Sequence, residues 1–259
     1  SRGLGDVYKR QMDGNALYDR FYNHVERTLR QVYETQRGAI FSAARMICAA
    51  LDRGGRFLVT GTGHSHMLAE EFYVRAGGLA CVTPILPPEF MLHEHPLKST
   101  AVERVPEYAH VILSLYGVKE QDVLFIASNS GRNGLIVELA LGAKARGAAV
   151  IALTARAGMA GQPSRHASGL RLADAADLVI DNCGAEGDAA CELTPGGARM
   201  GATSTIAGAF IVQQIALAAA CGLRSAGKEP PVFLSSNVDG ADAENSALFA
   251  HWYHAGPLA

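Results

Sequence analysis

The 259-residue sequence predicts an α/β fold in which a parallel sheet is covered by helices on both faces. Three observations lead there. Five short apolar runs alternate with stretches of helical periodicity. Two of those runs end in turns rich in Gly, Ser and Asn that lead directly into a helix, the usual site of ligand binding in such sheets. The composition, 49% apolar and 19% charged, supplies a core large enough for one such domain.

Between residues 17 and 51, Leu17, Phe21, Val25, Leu29, Val32, Ile40, Ala44 and Ile47 recur at helical spacing, which predicts two helices or one kinked near Gly38. Residues 12–52 are therefore an N-terminal helical segment. Residues 1–11 (SRGLGDVYKRQ) precede Met12 and carry neither an apolar signal core nor helical periodicity. They resemble a translated library-adapter scar and are expected to be a non-native leader. A strand over 56–60 runs into Gly61, Thr62, Gly63, His64 and Ser65, then a helix over 67–76. A second strand covers 80–86, followed by a Pro-bounded polar segment over 87–96. The third, over 122–127, enters the turn 128–133 (SNSGRN) and a helix whose Leu135, Ile136, Leu139 and Ala143 share a face. Strands over 148–154 and 178–181 complete the set. The most apolar helix, over 200–223, closes a domain spanning 53–225. A C-terminal extension, 226–259, holds Pro230, Pro231 and an amphipathic segment around Leu248, Phe249 and Trp252, suited to subunit packing.

Charge and cysteine usage narrow the function. A net charge of −2 offers no basic field for nucleic acid. Five scattered cysteines without CxxC spacing suggest neither a disulfide framework nor a zinc knuckle, and point to the reducing cytoplasm. The apolar stretch 206–223 carries Gln213 and Gln214 at its centre, which fits a buried core helix rather than a membrane span.

The turn 128–133 places hydroxyls and backbone amides at the positive end of a helix dipole, an arrangement suited to a phosphate monoester. Ser and Asn are also ordinary N-cap residues. The turn 61–65 reads GxGxS rather than GxGxxG. The second strand ends in Leu86, Pro87 and Pro88 instead of an acid, so dinucleotide binding loses support, and no Walker motif occurs.

Taken together, GTGHS at 61–65, SNSGRN at 128–133, VIALTA at 150–155 and a TST-opened apolar helix at Thr203 resemble the sugar isomerase (SIS) domain family. That resemblance implies a three-layer α-β-α sandwich with a five-stranded parallel sheet, assembled as a homodimer or homotetramer, and a small sugar phosphate as ligand. It further implies that Ser128, Asn129 and Ser130, with the amides through Arg132 and Asn133, hold the phosphate. Gly61, Thr62, Gly63 and Ser65 would form the first loop, with Thr62 and Ser65 addressing sugar hydroxyls, and Thr203 and Ser204 would begin the last core helix. Asn133 stands where many members have Ser or Thr, and Arg75 where some have a catalytic Glu.

Aldose–ketose interconversion through an enediol needs a base and a group that shuttles the hydroxyl proton. Glu71 falls where some family isomerases carry a functional Glu or His, and His93, Glu94 and His95 form a second acid–base cluster. The expected set is Glu71 or Glu94 as base and His64 or His93 assisting. No cofactor is implied, and His64 with His66 makes only a weak metal motif. Asp181, Glu186, Asp188 and Glu192 read as a solvated acidic stretch, with Glu192 the one placed to enter the site. Sugar-phosphate isomerase is the main reading. A lyase or etherase beginning with the same proton abstraction, or a non-catalytic sugar-phosphate sensor, are its alternatives.

Overall fold

The three central strands are buried along almost their whole length because both faces of their sheet are covered. In the computed structural model, which describes residues 3–158 and 161–254 (3–13 by backbone path alone), the strands are β1 (Phe57–Gly61), β2 (Val82–Ile85), β3 (Val123–Ala127), β4 (Ala149–Thr154) and β5 (Leu178–Asp181). All pair in parallel, in the order β2-β1-β3-β4-β5. Side chains alternate between two cores, as the period of two demands. Phe57, Val59, Val123, Phe125, Ile151 and Leu153 enter one. Leu58, Leu124, Ile126, Val150 and Ala152 enter the other.

The first core is closed by α1 (Gly3–Thr35), α2 (Arg37–Asp52), α3 (His66–Phe72) and α8 (Ser204–Ser225), with Phe72 edge-on between Phe57 and Phe125 at 5.1 Å from each. The second is closed by α5 (Tyr108–Leu115), α6 (Gly134–Ala145) and α7 (Leu172–Ala175). The sandwich has the three layers expected. Helix α8 has the length and hydropathy of a bilayer span, but its stripe of Ile211, Val212, Ile215, Ala216 and Ala219 is buried in the first core.

Several elements depart from the sequence expectations. The N-terminal break falls at Gln36, not Gly38, and the Gln36 amide side chain accepts the Asp181 N–H at 3.0 Å, tying the junction to the end of β5. Helix α1 begins at Gly3 and takes in residues set apart as a leader, because an established helix extends at one hydrogen bond per residue fixed. Ser1 and Arg2 lie outside the described residues, as does 255–259 of the C-terminal extension. Two short helices, α4 (Pro96–Val102) and α7, have too few turns to show a period. The stretch expected as loop and helix start instead forms a hairpin of β6 (Ala189–Glu192) and β7 (Arg199–Ala202). The extension returns to the sheet: Phe233 and Pro231 bond Gly77, Gly78 and Ala80, and α9 (Ala241–Tyr253) sends the Tyr253 hydroxyl to the Val82 carbonyl at 2.8 Å.

At the amino ends of β1 and β3, Asp122 has no solvent exposure and receives a two-point bond from Arg56 (Nη2 to Oδ2 2.6 Å, Nε to Oδ1 3.2 Å), plus the amides of Arg56 and Lys119. Burial alone would raise its pKa, but these donors outweigh burial and hold the carboxyl below its ordinary value. Stability from this pair is present above the unfolded carboxyl's pKa and is lost as pH falls through the depressed one. Asp122→Ala leaves Arg56 with the Tyr116 and Gly117 carbonyls but no carboxylate, orphans two amides, and should cost about 3 kcal/mol, read by urea unfolding at pH 7. The gap between variant and wild type should close as pH is lowered, and a constant gap down to pH 3 would refute the assignment.

Candidate functional site

Strand order reverses between β1 and β3, with β2 beyond one and β4 beyond the other, so their carboxyl ends open a crevice. Gly61 pairs with Ala127 in the last rung, which sets the two loops side by side. The first loop turns tightly: a Cβ on Gly61 would lie 2.4 Å from the Ser65 carbonyl oxygen. Thr62 is buried, Gly63 to Ser65 form a 3-10 turn, and His66 Nδ1 closes onto the Gly63 carbonyl.

The second loop is clamped from outside. Thr154 Oγ1 and the Ala155 amide both bond the Asn129 carbonyl, and Asn182 Nδ2 donates to Asn129 Oδ1 at 2.8 Å. Arg171 Nη2 holds the Ser130 carbonyl, and the amides of Leu172 and Arg165 hold those of Gly131 and Arg132. His166 anchors that outer segment through Glu138 Oε2 at 2.9 Å. Gly131 needs its positive φ of 60°, and its amide reaches the Ser128 hydroxyl. With the carbonyls engaged outward, the amides of Ser130, Arg132, Asn133 and Gly134 and the Ser130 hydroxyl bond to none of the described residues. They gather where α6 begins, beside the buried, unpartnered Arg132 Nε.

Between the loops stands a carboxyl that the sequence reading did not single out. Glu103, at the carboxyl end of α4, accepts from Asn133 Nδ2 at 2.8 Å, stands beside Thr62 and packs against Gly63. Burial raises its pKa, and Thr62, Asn133 and the charges of Arg104 and Arg165 only partly offset this. Its signal in the sequence was faint, a lone Glu before an exposed Arg in a segment without periodicity. Ser99, whose hydroxyl bonds the Phe90 carbonyl, fixes α4 so that Glu103 faces inward.

The expected acid–base residues sit differently. Glu71 is engaged at both oxygens, by Arg75 Nη1 at 2.8 Å and by Gln213 Nε2 of α8 at 2.7 Å. Glu94 is exposed, paired with Lys98 at 2.7 Å and held below its ordinary pKa by that lysine. His64 and His93 are both exposed. The His93 ring lies 6.1 Å from that of His66, so the 87–96 segment does pack against the first loop. Ser65 is half-buried at the end of that turn.

At the start of α8 the amides expected to be free are capped. Asp188 Oδ1 accepts the amides of Thr203 and Ser204, and its Oδ2 accepts the Ser204 hydroxyl at 2.6 Å. The acid that the 181–192 stretch delivers is thus Asp188, while Glu192 is exposed and accepts the Gly196 amide. Thr203 Oγ1 is buried without a partner near Asn182 and Gly184, the other end of the link to Asn129.

The sheet order, the two loops and the helix that follows each define a SIS-type domain, and residues 20–155 match the family model described as SIS domain. The chain belongs to the SIS domain family. It is 47% identical over 232 residues to a UPF0309 protein of Halalkalibacterium halodurans, covering 90% of this chain and 95% of that one. To a UPF0309 protein of Shouchella clausii it is 39% identical over 240 residues, covering 92% and 98%. Among solved structures it is similar to a phosphoheptose isomerase from Francisella tularensis, with a TM-score of 0.51 and 16% identity over 78% of this chain and 95% of that one, a likeness of fold.

Removing the α8 cap should be felt in stability. Asp188→Ala strips three hydrogen bonds from the helix start and should lower unfolding free energy by about 1 to 2 kcal/mol, measured by thermal or urea unfolding. Asp188→Asn should recover most of that loss, and equal losses in both variants would show that capping is not what Asp188 does.

Proposed function

We propose that the protein is a phosphosugar isomerase interconverting aldose and ketose phosphates through an enediol. The observation that carries this reading is Glu103, a carboxyl with a raised pKa lodged between a phosphate-type loop and the turn after β1. A base that must both take and return a proton works best with a pKa near the working pH.

In this reading the phosphate lies in the 128–133 loop, held by the hydroxyls of Ser128 and Ser130, by the amides at the start of α6 and by the dipole of that helix. Asn129, fixed by Asn182, shapes the cradle. The sugar extends toward Thr62 and Ser65, with C1 and C2 beside Glu103. Ionised Glu103 removes the C2 proton of the aldose; the electron pair moves into the C1–C2 bond as the carbonyl oxygen is protonated, giving the enediol. Protonated Glu103 then delivers its proton to C1. His64 or His93 carries the hydroxyl proton between the two oxygens. Glu71 and Glu94 give up the role of base because each is already ion-paired. The enzyme works as a cytoplasmic homodimer or homotetramer, and the exposed Tyr33, Phe41 and Leu217 of α1, α2 and α8 supply an apolar face for that assembly.

Incubation in D2O with a panel of aldose and ketose phosphates, followed by proton NMR, tests the chemistry. Deuterium should enter at C1 or C2, and Glu103→Gln should slow its entry at least about a hundredfold while leaving phosphosugar affinity within a few-fold. Phosphorus line broadening without deuterium in any sugar would make this a sensor, and release of a C3 substituent would make it a lyase. Ser128→Ala with Ser130→Ala should weaken phosphosugar binding by about tenfold or more through two lost charge-assisted bonds. Unchanged affinity would move the phosphate elsewhere.

A further inference from the structure

Away from the crevice, α1 and the β6–β7 hairpin flank a solvent-open cavity of about 610 Å³. Its two walls are locked together by packing. Phe21 of α1 lies so close under Gly201 that a Cβ there would sit 2.6 Å from the ring, and the Cys191 thiol rests on the Leu17 carbonyl. Arg20 and Arg27 of α1 and Arg199 of β7 line this space with Asn23 and His24, and Glu26 and Glu192 stand in the same lining, leaving one positive charge in excess.

None of the three guanidinium groups has a carboxylate within ion-pair distance among the described residues. Arg20 and Arg27 spend only Nε, on the carbonyls of Ala16 and Asn23 in their own helix. Arg199 donates Nε and Nη2 to the carbonyls of Ala189 and Ala190, although Glu192 is its direct partner across the hairpin. The nearby acids are engaged elsewhere: Glu26 pairs with Arg30 at 3.1 Å, and Glu192 accepts the Gly196 amide. Burial, with the charges of Arg27 and Arg199, lowers the pKa of His24, which also lines the cavity.

The three guanidinium groups are exposed around one concavity with N–H groups to spare, and planar guanidinium forks match phosphate oxygens in pairs. The volume suits a small molecule, not a helix or strand of a partner. We propose that this cavity binds a phosphorylated small molecule, at a site separate from the 128–133 loop and independent of the isomerase reading. The hairpin that forms one wall also carries Arg199 into β7, whose end leads to Thr203 and the start of α8. Occupancy there bears on the helix whose cap, Asp188, lies just before the other hairpin strand.

The test uses inorganic pyrophosphate as probe and the full chain carrying Ser128→Ala and Ser130→Ala, so that the loop does not contribute. Calorimetry at low salt should still detect binding, and adding Arg20→Gln with Arg199→Gln should weaken it at least tenfold. Arg27→Gln alone, which touches only its own helix, should weaken it several-fold without changing the melting temperature. The His24 ring resonances should shift on titration, and the His24 pKa should rise when the anion is present. No pyrophosphate binding in the loop variant, unchanged affinity in the arginine variants, or unmoved His24 resonances would each overturn the proposal.

Discussion

The rung that pairs Gly61 with Ala127 is the constraint on which the site depends. Parallel strands force each following loop to the same edge of the sheet, and the reversal of order between β1 and β3 sends their helices to opposite faces. A crevice opens where no crossover covers it. The pairing register then decides what meets across it. A one-residue slip would turn every side chain of β3 to the other core, which the burial of Phe125 on one face and Leu124 and Ile126 on the other forbids.

What the register brings together, the neighbours hold still. The 128–133 loop is fixed through its carbonyls and the Asn129 side chain by β4, β5 and the segment before α7, and its amides are thereby turned inward. A loop held by its own hydroxyls would have used up the groups a ligand needs. Pre-organisation of this kind lowers the ordering cost of binding, because the donors are aimed before the anion arrives. Asp188 does the opposite for α8. It meets the first two amides of that helix start, those of Thr203 and Ser204, with a carboxylate of the chain itself, whereas no carboxylate caps the amides that open α6.

The strands were legible because a buried parallel strand leaves a plain apolar run, and the two turns because Gly, Ser and Asn have few other reasons to cluster between a strand and a helix. What escaped depended on contacts remote in sequence. Glu103 and Asn133 meet only because Ser99 pins α4 to the Phe90 carbonyl, and no spacing announces that. Glu71 looked suited to catalysis until Gln213, most of the chain away, took one of its oxygens. The β6–β7 hairpin was hidden by charge, since an edge ribbon with Glu192 and Arg199 outward reads as a solvated stretch.

Two carboxyls at opposite ends of one sheet have their pKa values moved in opposite directions. At the amino ends of β1 and β3, Asp122 is buried with a guanidinium fork and two amides, so its charge is satisfied and its pKa depressed. At the carboxyl ends, half-buried Glu103 has one direct donor, the neutral Asn133 side chain, while Arg104 and Arg165 act from further off. Its pKa is raised, so ionising it costs stability that grows as pH climbs above the ordinary carboxyl value, the reverse of Asp122. A direct arginine pair at Glu103 would remove that cost and remove its basicity as well. The fully compensated carboxyl ties the amino ends of β1 and β3 together, and the under-compensated one stands where their carboxyl ends open the crevice.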